Sequence, residues 1–164
     1  MDLKDYHENI KFISSFLVVL STQSSAEQFQ IQKDIQPYRM LVLSAAGGIS
    51  GASASVSGFD LDRIEIPYYQ RKGKITGVEY TTASYPAPNE IVEICYVRPY
   101  RIDPLFCDSD IAPNSTGITH RFDGQEFAPG IEIKIIHRVD STGELHYSAP
   151  NRMESVTIHY DSYR

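Results

Sequence analysis

The clearest hydrophobic pattern in the chain lies between residues 131 and 139. Apolar side chains and His137 occupy one set of alternate positions, polar and charged side chains occupy the other set, and Ile136 is the one exception. Alternation with a period of two places the first set on one face of an extended strand. The segment therefore predicts an antiparallel strand with one face buried and the other in solvent.

A turn signal, Ser-Thr-Gly, follows this strand and ends at Gly143. The signal is typical of a three-residue hairpin loop whose glycine adopts the left-handed conformation. The returning strand would then place Val139 opposite Leu145 and His137 opposite Tyr147. We therefore predict a β-hairpin over the whole stretch, in which apolar groups collect on one face.

Residues 63–82 carry a second pattern of this kind. Two alternating runs, 63–70 and 74–82, flank the sequence Arg-Lys-Gly. A left-handed Gly73 would let the two runs pair with their apolar side chains on a shared face. The pattern predicts a second hairpin.

Further runs of strand length occur along the chain. The run at 90–97 is apolar on both faces in its centre, which indicates a position inside a sheet. The other candidate strands, rich in β-branched or aromatic residues, are 38–43, 117–122 and 155–160.

The first residues of the chain differ from the rest. Apolar residues from Leu3 to Leu20 recur at helical spacing, which favours a helix, and a strand over 10–20 is the competing interpretation. We expect residues 1–25 to be a helical or docking segment. Residues 30–164 are expected to form a single β-sandwich domain.

The order of these elements predicts the fold class. About seven to nine short strands, an N-terminal helix and no alternation of strand and helix favour an all-β protein over a parallel α/β fold. The expected architecture is an antiparallel β-sandwich, jelly-roll-like, with a short N-terminal helix. A chain of 164 residues can bury such a core without a disulfide or a metal ion.

Residues 44–58 have the most unusual composition in the chain, because all except Ile49 and Val56 are small. Two interpretations stay open. Alternation through Ser53 and Ser55 presents little side-chain volume, so another backbone, ligand or subunit could approach closely. The other interpretation is a flexible linker.

Composition and charge exclude some partners. The formal net charge is −6 and the pI is near 5.3, so no basic footprint favours nucleic acid or anionic lipid. The apolar run 12–20, followed by Ser-Ser-Ala26, looks like the core and cleavage site of a secretory signal, but the acidic residues before it argue against that interpretation. The run is also too short to cross a bilayer, so we expect a soluble protein without a membrane span. Cys95 and Cys107 could form a disulfide or stay reduced.

Motifs for catalysis are weak. The strand and glycine cluster from Met40 to Ala52 resembles the nucleotide-binding opening of short-chain dehydrogenases, and Tyr68 and Lys72 match that family's Tyr-x-x-x-Lys spacing. The glycines do not form Gly-x-Gly-x-x-Gly, and no strand and helix units separate the two motifs. The chain has no Gly-x-Ser-x-Gly elbow. Carboxylates such as Glu90 are expected to be ordinary strand charges.

Metal sites are equally weak in the sequence. The five histidines form no His-x-His or His-Glu-x-x-His motif, and His137 is expected to be a core histidine with a hydrogen-bond partner. Asp60-x-Asp62 and Asp108-x-Asp110 could bind calcium in loops, but aspartates that stabilise turns are the favoured interpretation. We predict no cofactor and no metal.

The 11 tyrosines of the chain supply candidate contacts for a binding surface. Tyrosine and arginine are amphipathic anchors that recur at protein interfaces. The residues predicted to form interface or ligand contacts are Tyr68, Tyr69, Tyr96, Arg98, Tyr100, Ser53 and Ser55.

The function expected from these observations is structural. We expect a non-enzymatic assembly protein, such as a viral capsid or virion surface component, that acts as a homo-oligomer or with other structural proteins. One alternative is a carbohydrate- or receptor-binding module that uses Tyr96, Arg98, Tyr100 and the loops near Asp108. A second alternative is a metal-dependent enzyme on a cupin-like barrel, with His120 and His159 gathered from distant strands.

Overall fold

Eleven strands and two short helices follow one another between residues 27 and 163, the part of the chain that the computed structural model describes. The helices are α1 (Gly58–Arg63) and a 3₁₀ helix (Tyr68–Gln70). The strands are β1 (Gln28–Ile35), β2 (Met40–Leu43), β3 (Gly47–Ser55), β4 (Gly73–Thr81), β5 (Ile91–Val97), β6 (Phe106–Ile111), β7 (Thr116–Thr119), β8 (Glu126–Phe127), β9 (Glu132–Val139), β10 (His146–Ser148) and β11 (Glu154–Ser162).

The strands form two antiparallel sheets that pack face to face. The five-stranded sheet has the order β1-β11-β4-β7, with β8 also paired to β4, and the six-stranded sheet has the order β10-β2-β3-β9-β5-β6. The prediction of an all-β antiparallel sandwich is confirmed. The helix expected over residues 1–25 lies outside the described residues. Neither helix between residues 27 and 163 has the length and hydropathy needed to cross a membrane.

The core lies between the two sheets. Alternate residues of β9 and β11 point inward, so Ile133 and Ile135 face Ile158 and Tyr160, all without solvent exposure. The ring of Phe127 stacks on Tyr160 with a centroid distance of 3.6 Å. These residues belong to the larger of two buried hydrophobic clusters, and the smaller one contains Met40, Val42, Tyr85 and Val139. Burial of apolar surface is the main force that stabilises a sandwich of this kind.

The hairpin predicted across residues 131–148 is wrong in its pairing. Strand β9 forms as expected and Gly143 is left-handed with a φ of 83°. However, β10 pairs with β2, where Tyr147 lies opposite Leu41. The reason is that both edges of β9 are occupied, by β3 on one side and β5 on the other. The predicted pairs of Val139 with Leu145 and of His137 with Tyr147 therefore do not form.

The hairpin predicted over residues 63–82 is also wrong in its first half. Ser57 and Asp60 form a capping box that starts α1, since the Ser57 hydroxyl accepts from the Asp60 N–H and the Asp60 carboxylate accepts from the Ser57 N–H. The 3₁₀ helix occupies the next part of the predicted strand. Gly73 is the first residue of β4 and not a left-handed turn residue.

The small-residue segment 44–58 is mostly the central strand β3, so the flexible-linker interpretation is wrong. Strand β3 pairs with β9 over eight consecutive positions, from Gly48 opposite Val139 to Ser55 opposite Glu132. Ala52 and Ala54 point into the core and are buried. The small residues therefore form a strand that lies inside the sheet, between β2 and β9, where neighbouring backbones approach closely.

Other predicted strands are confirmed with small shifts. Strands β2, β5 and β11 cover the runs at 38–43, 90–97 and 155–160, and β5 lies inside its sheet between β9 and β6. Strand β7 is shorter than the run at 117–122. Strands β1 and β6 lie in segments where the hydrophobic pattern predicted no strand.

Candidate functional site

A row of large side chains crosses the outer face of the six-stranded sheet. In the strand register, Tyr147 lies beside Leu41, and Arg138 lies between Ile49 and Ile91. Val42 of β2 pairs with Gly48 of β3. Leu41 and Ile49, the next residues along each strand, are therefore neighbours across the two strands. Every apolar member of this row is exposed, and Ile49 keeps 59% of its surface in solvent.

The row borders an open groove of about 500 Å³. Asn89, Arg138 and Asp140 are the polar and charged side chains of its lining. The exposed apolar side chains of its lining are Leu41, Leu43, Ile49 and Ile91, which come from β2, β3 and β5. Exposed apolar side chains that are contiguous, with polar groups around them, are typical of protein interaction sites.

The floor beside the row is flat because β3 contributes small residues. Gly51 lies opposite Ile136, Ser53 opposite Lys134, and the exposed Ser55 opposite Glu132 at the end of the strand. The predicted contacts Ser53 and Ser55 are therefore on the same face as the apolar row. A flat surface of this kind allows another backbone to approach closely.

A loop between β5 and β6 forms the far end of this face. Residues 98–105 connect the two strands, and a disulfide joins Cys95 to Cys107 across the strand pair. The Lys134 ammonium group donates a hydrogen bond of 3.0 Å to the carbonyl oxygen of Ile102, which holds the loop against β9. The predicted contacts Arg98 and Tyr100 lie in this loop and are exposed.

Tyr96 cannot form the predicted surface contact, because its side chain has no solvent exposure. It lies in the core, and its hydroxyl donates a hydrogen bond of 2.8 Å to the Glu126 carbonyl oxygen. Burial raises the pKa of its hydroxyl to about 12. Tyr68 and Tyr69 are exposed on the 3₁₀ helix that precedes β4. Four of the seven predicted residues are therefore exposed on or beside the six-stranded sheet: Ser53 and Ser55 on β3, and Arg98 and Tyr100 in the β5–β6 loop.

A buried ion cluster lies beneath this face. The Nδ1 atom of His137 lies 2.7 Å from a carboxylate oxygen of Glu90, and its Nε2 atom lies 2.7 Å from a carboxylate oxygen of Glu154. The three side chains are almost completely buried. The ring of Tyr85 packs edge-on against His137 with a centroid distance of 5.1 Å. The prediction that His137 is a core histidine with a hydrogen-bond partner is confirmed.

The protonation of His137 follows from its neighbours. Burial by itself lowers the pKa of His137, but the hydrogen bonds and negative charges of Glu154 and Glu90 outweigh this effect and raise the pKa above 6.5. The carboxylates are held by the chain between β4 and β5, since Glu154 accepts from the Ala83 N–H and Glu90 accepts from the Tyr85 N–H. The cluster joins the two sheets, because His137 lies on β9 of one sheet and Glu154 on β11 of the other.

Sequence reasoning missed the two carboxylates of this cluster. Glu90 is not an ordinary strand charge, whereas Glu93 lies on the outer face and pairs with Arg138 at 3.1 Å. A signal for Glu154 was present, because it precedes Val156 and Ile158 at the same period of two and therefore points inward.

The candidate metal ligands have other roles. Asp108 and Asp110 lie in strand β6 and not in a turn, so the expected turn-stabilising role is wrong for this pair, although Asp108 accepts a hydrogen bond from the Asp110 N–H. His120 pairs with Asp123, and His159 pairs with Glu79. Between residues 27 and 163, no group of three or more histidine, cysteine, aspartate or glutamate side chains has an arrangement that could hold a metal ion.

Comparisons with known proteins add the following findings. No protein-family model matches the sequence, and no curated protein matches it. The crystal structure of FLHE matches with a TM-score of 0.45 and 14% sequence identity, over 84% of this chain and 99% of that chain. A structure of the infectious bursal disease virus Gx strain matches with a TM-score of 0.23 and 10% identity, over 84% of this chain and 34% of that chain. Both similarities are too distant to indicate a function.

Proposed function

We propose that the protein is a non-enzymatic assembly module that binds a second copy of itself through the outer face of the six-stranded sheet. The observation that carries the proposal is the exposed apolar row of Tyr147, Leu41, Ile49 and Ile91. Removal of apolar surface from water favours association, so a contiguous apolar row is a favourable contact surface.

The electrostatics of the face support sheet-to-sheet contact. The charged side chains in the centre of the face, Arg138 and Glu93, pair with each other. The face therefore brings little unpaired charge into an interface, where a buried unpaired charge is costly. Two such faces can pack with the spacing that sheets adopt within a sandwich.

Closed pairs of identical subunits are the commonest soluble assemblies. A two-fold pair uses the same patch on both subunits, so a single apolar face is enough to form it. A flat sheet with small residues such as Gly51 and Ser53 beside the row meets this requirement without large side chains in the way.

The experiment that tests the proposal is native mass spectrometry of the wild type and of the Ile49→Glu variant. We expect the wild type to be dimeric or larger and the Ile49→Glu variant to be monomeric, because a glutamate in the row would bury an unpaired charge. The matched control is Ile118→Glu on β7 of the other sheet, where Ile118 is 49% exposed. The control is expected to keep the wild-type mass.

A monomeric wild type at all concentrations would overturn the proposal. Equal effects of Ile49→Glu and Ile118→Glu would also overturn it, since the apolar row would then have no special role. A virion or capsid setting for the assembly is a finer proposal, based on the use of β-sandwiches in capsids alone. Detection of the protein in purified particles from its source would test that setting.

A second candidate function is receptor binding, and the exposed loop at residues 98–105 is the observation that favours it. The loop places Arg98 and Tyr100 in solvent at one end of the same face. This candidate no longer includes Tyr96, which is buried.

A further inference from the structure

We propose that the β5–β6 loop, residues 98–105, binds a carboxylate-bearing segment of a partner protein. The inference rests on the receptor-binding candidate and names the chemistry of its partner. It is independent of self-assembly, because the loop follows the end of β5 whereas the apolar row crosses β5 at its first residue, Ile91. It depends on the backbone conformation of the loop, on the contacts that hold the loop in place and on the chemistry that the loop exposes.

The backbone of the loop presents Tyr100 to solvent. The Arg101 N–H donates to the Arg98 carbonyl oxygen at 3.2 Å, which closes a four-residue turn with Pro99 at its second position. Tyr100 occupies the third position with a φ of 61°. Glycine or asparagine is usual at such a position, and a bulky residue there is strained. Strain at an exposed aromatic residue points to a role in recognition.

Several contacts hold the loop in this conformation. The Cys95–Cys107 disulfide joins its two flanking strands, and the Leu105 N–H donates to the Tyr96 carbonyl oxygen at 2.9 Å. Lys134 holds the centre of the loop through the Ile102 carbonyl oxygen. A loop fixed before binding loses less conformational freedom when it binds, so its contacts convert more fully into affinity.

The apolar tips of the loop form one part of the recognition surface. Tyr100 is 95% exposed and Ile102 is 83% exposed, although both side chains are large and apolar. Tyrosine is enriched among residues that dominate binding energy, since its ring offers contact area with few rotatable bonds. The two side chains therefore fit a partner with an apolar socket.

The charged part of the surface is a cleft between two arginines. The cleft has a volume of about 240 Å³, and its lining includes Arg98, Arg101 and Asp103. Among the ion pairs between residues 27 and 163, none involves Arg98 or Arg101. Guanidinium groups bind carboxylates with paired hydrogen bonds, so the cleft fits an aspartate, a glutamate or a chain terminus.

A protein segment fits this site better than a nucleic acid or an anionic membrane. The whole chain carries a net charge of −6, which opposes the approach of an extended anionic surface. A short segment brings one or a few carboxylates to the cleft and an apolar side chain to Tyr100. Two arginines and one aspartate, Asp103, line the cleft, so its excess of positive charge matches a ligand that carries only one or a few carboxylates.

The test is a fluorescence binding assay with two labelled peptides. One peptide alternates glutamate with leucine and phenylalanine, and the other has lysine in place of glutamate. We expect the wild type to bind the glutamate peptide at least about tenfold more tightly, which corresponds to about 1.4 kcal/mol. Higher salt should weaken this binding.

Three variants separate the loop from other surfaces. The R98A/R101A double variant and Tyr100→Gly are expected to bind the glutamate peptide at least about tenfold more weakly than the wild type. The Tyr100→Gly variant should unfold at the wild-type midpoint, because glycine accepts the positive φ. The matched control is Tyr38→Ala, which removes an exposed tyrosine outside the loop and should leave binding unchanged.

Equal binding of both peptides, no binding of either, or full binding by R98A/R101A would overturn the proposal. Vesicles with and without phosphatidylserine provide the remaining arm of the test. Binding to phosphatidylserine vesicles without binding to the glutamate peptide would contradict a protein partner and assign the loop to a membrane surface. The Ile49→Glu variant keeps the loop, so failure of self-assembly and failure of peptide binding are distinguishable.

Discussion

His137 lies between two buried carboxylates, those of Glu90 and Glu154. A neutral imidazole has one N–H and can donate to only one carboxylate, whereas the protonated ring can donate to Glu90 and Glu154 together. The observed geometry, with 2.7 Å on both ring nitrogens, therefore requires the protonated ring when both carboxylates are ionised. Removal of one partner from such a cluster leaves an uncompensated buried charge.

The first prediction at this scale is a pH dependence of stability. The pKa of His137 is raised in the folded state above its usual value of 6.5, so the folded state binds the proton more tightly than the unfolded state does. The stabilisation is fully present below pH 6.5 and is lost as the pH rises through the folded-state pKa. We expect the free energy of unfolding, measured with urea, to fall over that range.

The control for this prediction is the His137→Gln variant. It lacks the titrating group, so this component of the pH dependence should be absent, and the variant should be about 3–5 kcal/mol less stable at neutral pH. His159→Gln, which removes a partly exposed pair with Glu79, should cost less than about 1 kcal/mol. A wild-type stability that rises with pH above 6.5 would contradict the assignment.

At the scale of strands, close backbone approach decides where glycine is required. A Cβ atom added at Gly73, the first residue of β4, would lie 2.0 Å from the Asp161 carbonyl oxygen of β11. Neither strand can move without disturbing the centre of the five-stranded sheet. This contact explains a glycine that the hydrophobic pattern assigned to a turn.

The second prediction follows from this contact. We expect Gly73→Ala to lower the free energy of unfolding by about 1–3 kcal/mol, because the backbone must shift to admit the methyl group. Gly58→Ala is the matched control, since no atom lies within 4 Å of its added Cβ and it begins α1. The control should raise stability by about 0.4–1 kcal/mol. Equal effects of the two substitutions would show that β4 and β11 are not this close.

The third prediction concerns the β5–β6 disulfide. Cys95 and Cys107 close a short loop with a sequence separation of 12 residues. Reduction should lower the stability of the wild type by about 2–4 kcal/mol, because the unfolded chain regains conformational freedom. Thermal unfolding with and without a reductant measures the effect. A C95S/C107S double variant should show no response to the reductant, and a wild type without a response would contradict the pairing.

The strands show what the sequence could and could not predict. The period of two correctly assigned the inward faces of β9 and β11, because burial of one face leaves that signature in the sequence. It could not assign partners, since a period is the same whichever strand lies beside it. Strand β9 pairs with β3, whose small residues gave no hydrophobic signal. Because β3 takes this place beside β9, strand β10 pairs with β2 instead.

The candidate site was predictable in the same limited way. Ser53, Ser55, Arg98 and Tyr100 are exposed, as a contact role requires, but the apolar row depends on the register of five strands that are distant in sequence. Tyr96 was misplaced because an aromatic residue in a strand is equally suited to a core and to an interface.

At the scale of the whole molecule, the two outer faces differ in chemistry. The five-stranded sheet carries a groove of about 350 Å³ whose lining combines the hydroxyl groups of Thr81, Thr116, Ser155 and Thr157 with one exposed aliphatic side chain, Ile118. The outer face of the six-stranded sheet carries the apolar row instead. Hydroxyl groups are well solvated, whereas the apolar row gains free energy when a partner covers it. The asymmetry favours assembly through one face only.

The molar mass of the wild-type protein in solution tests this account most directly. Light scattering over a range of concentrations should give at least twice the 18.5 kDa of one chain, with the Ile118→Glu variant alike and the Ile49→Glu variant at the mass of one chain. A wild type that stays at the mass of one chain over the whole range would contradict assembly through the apolar face.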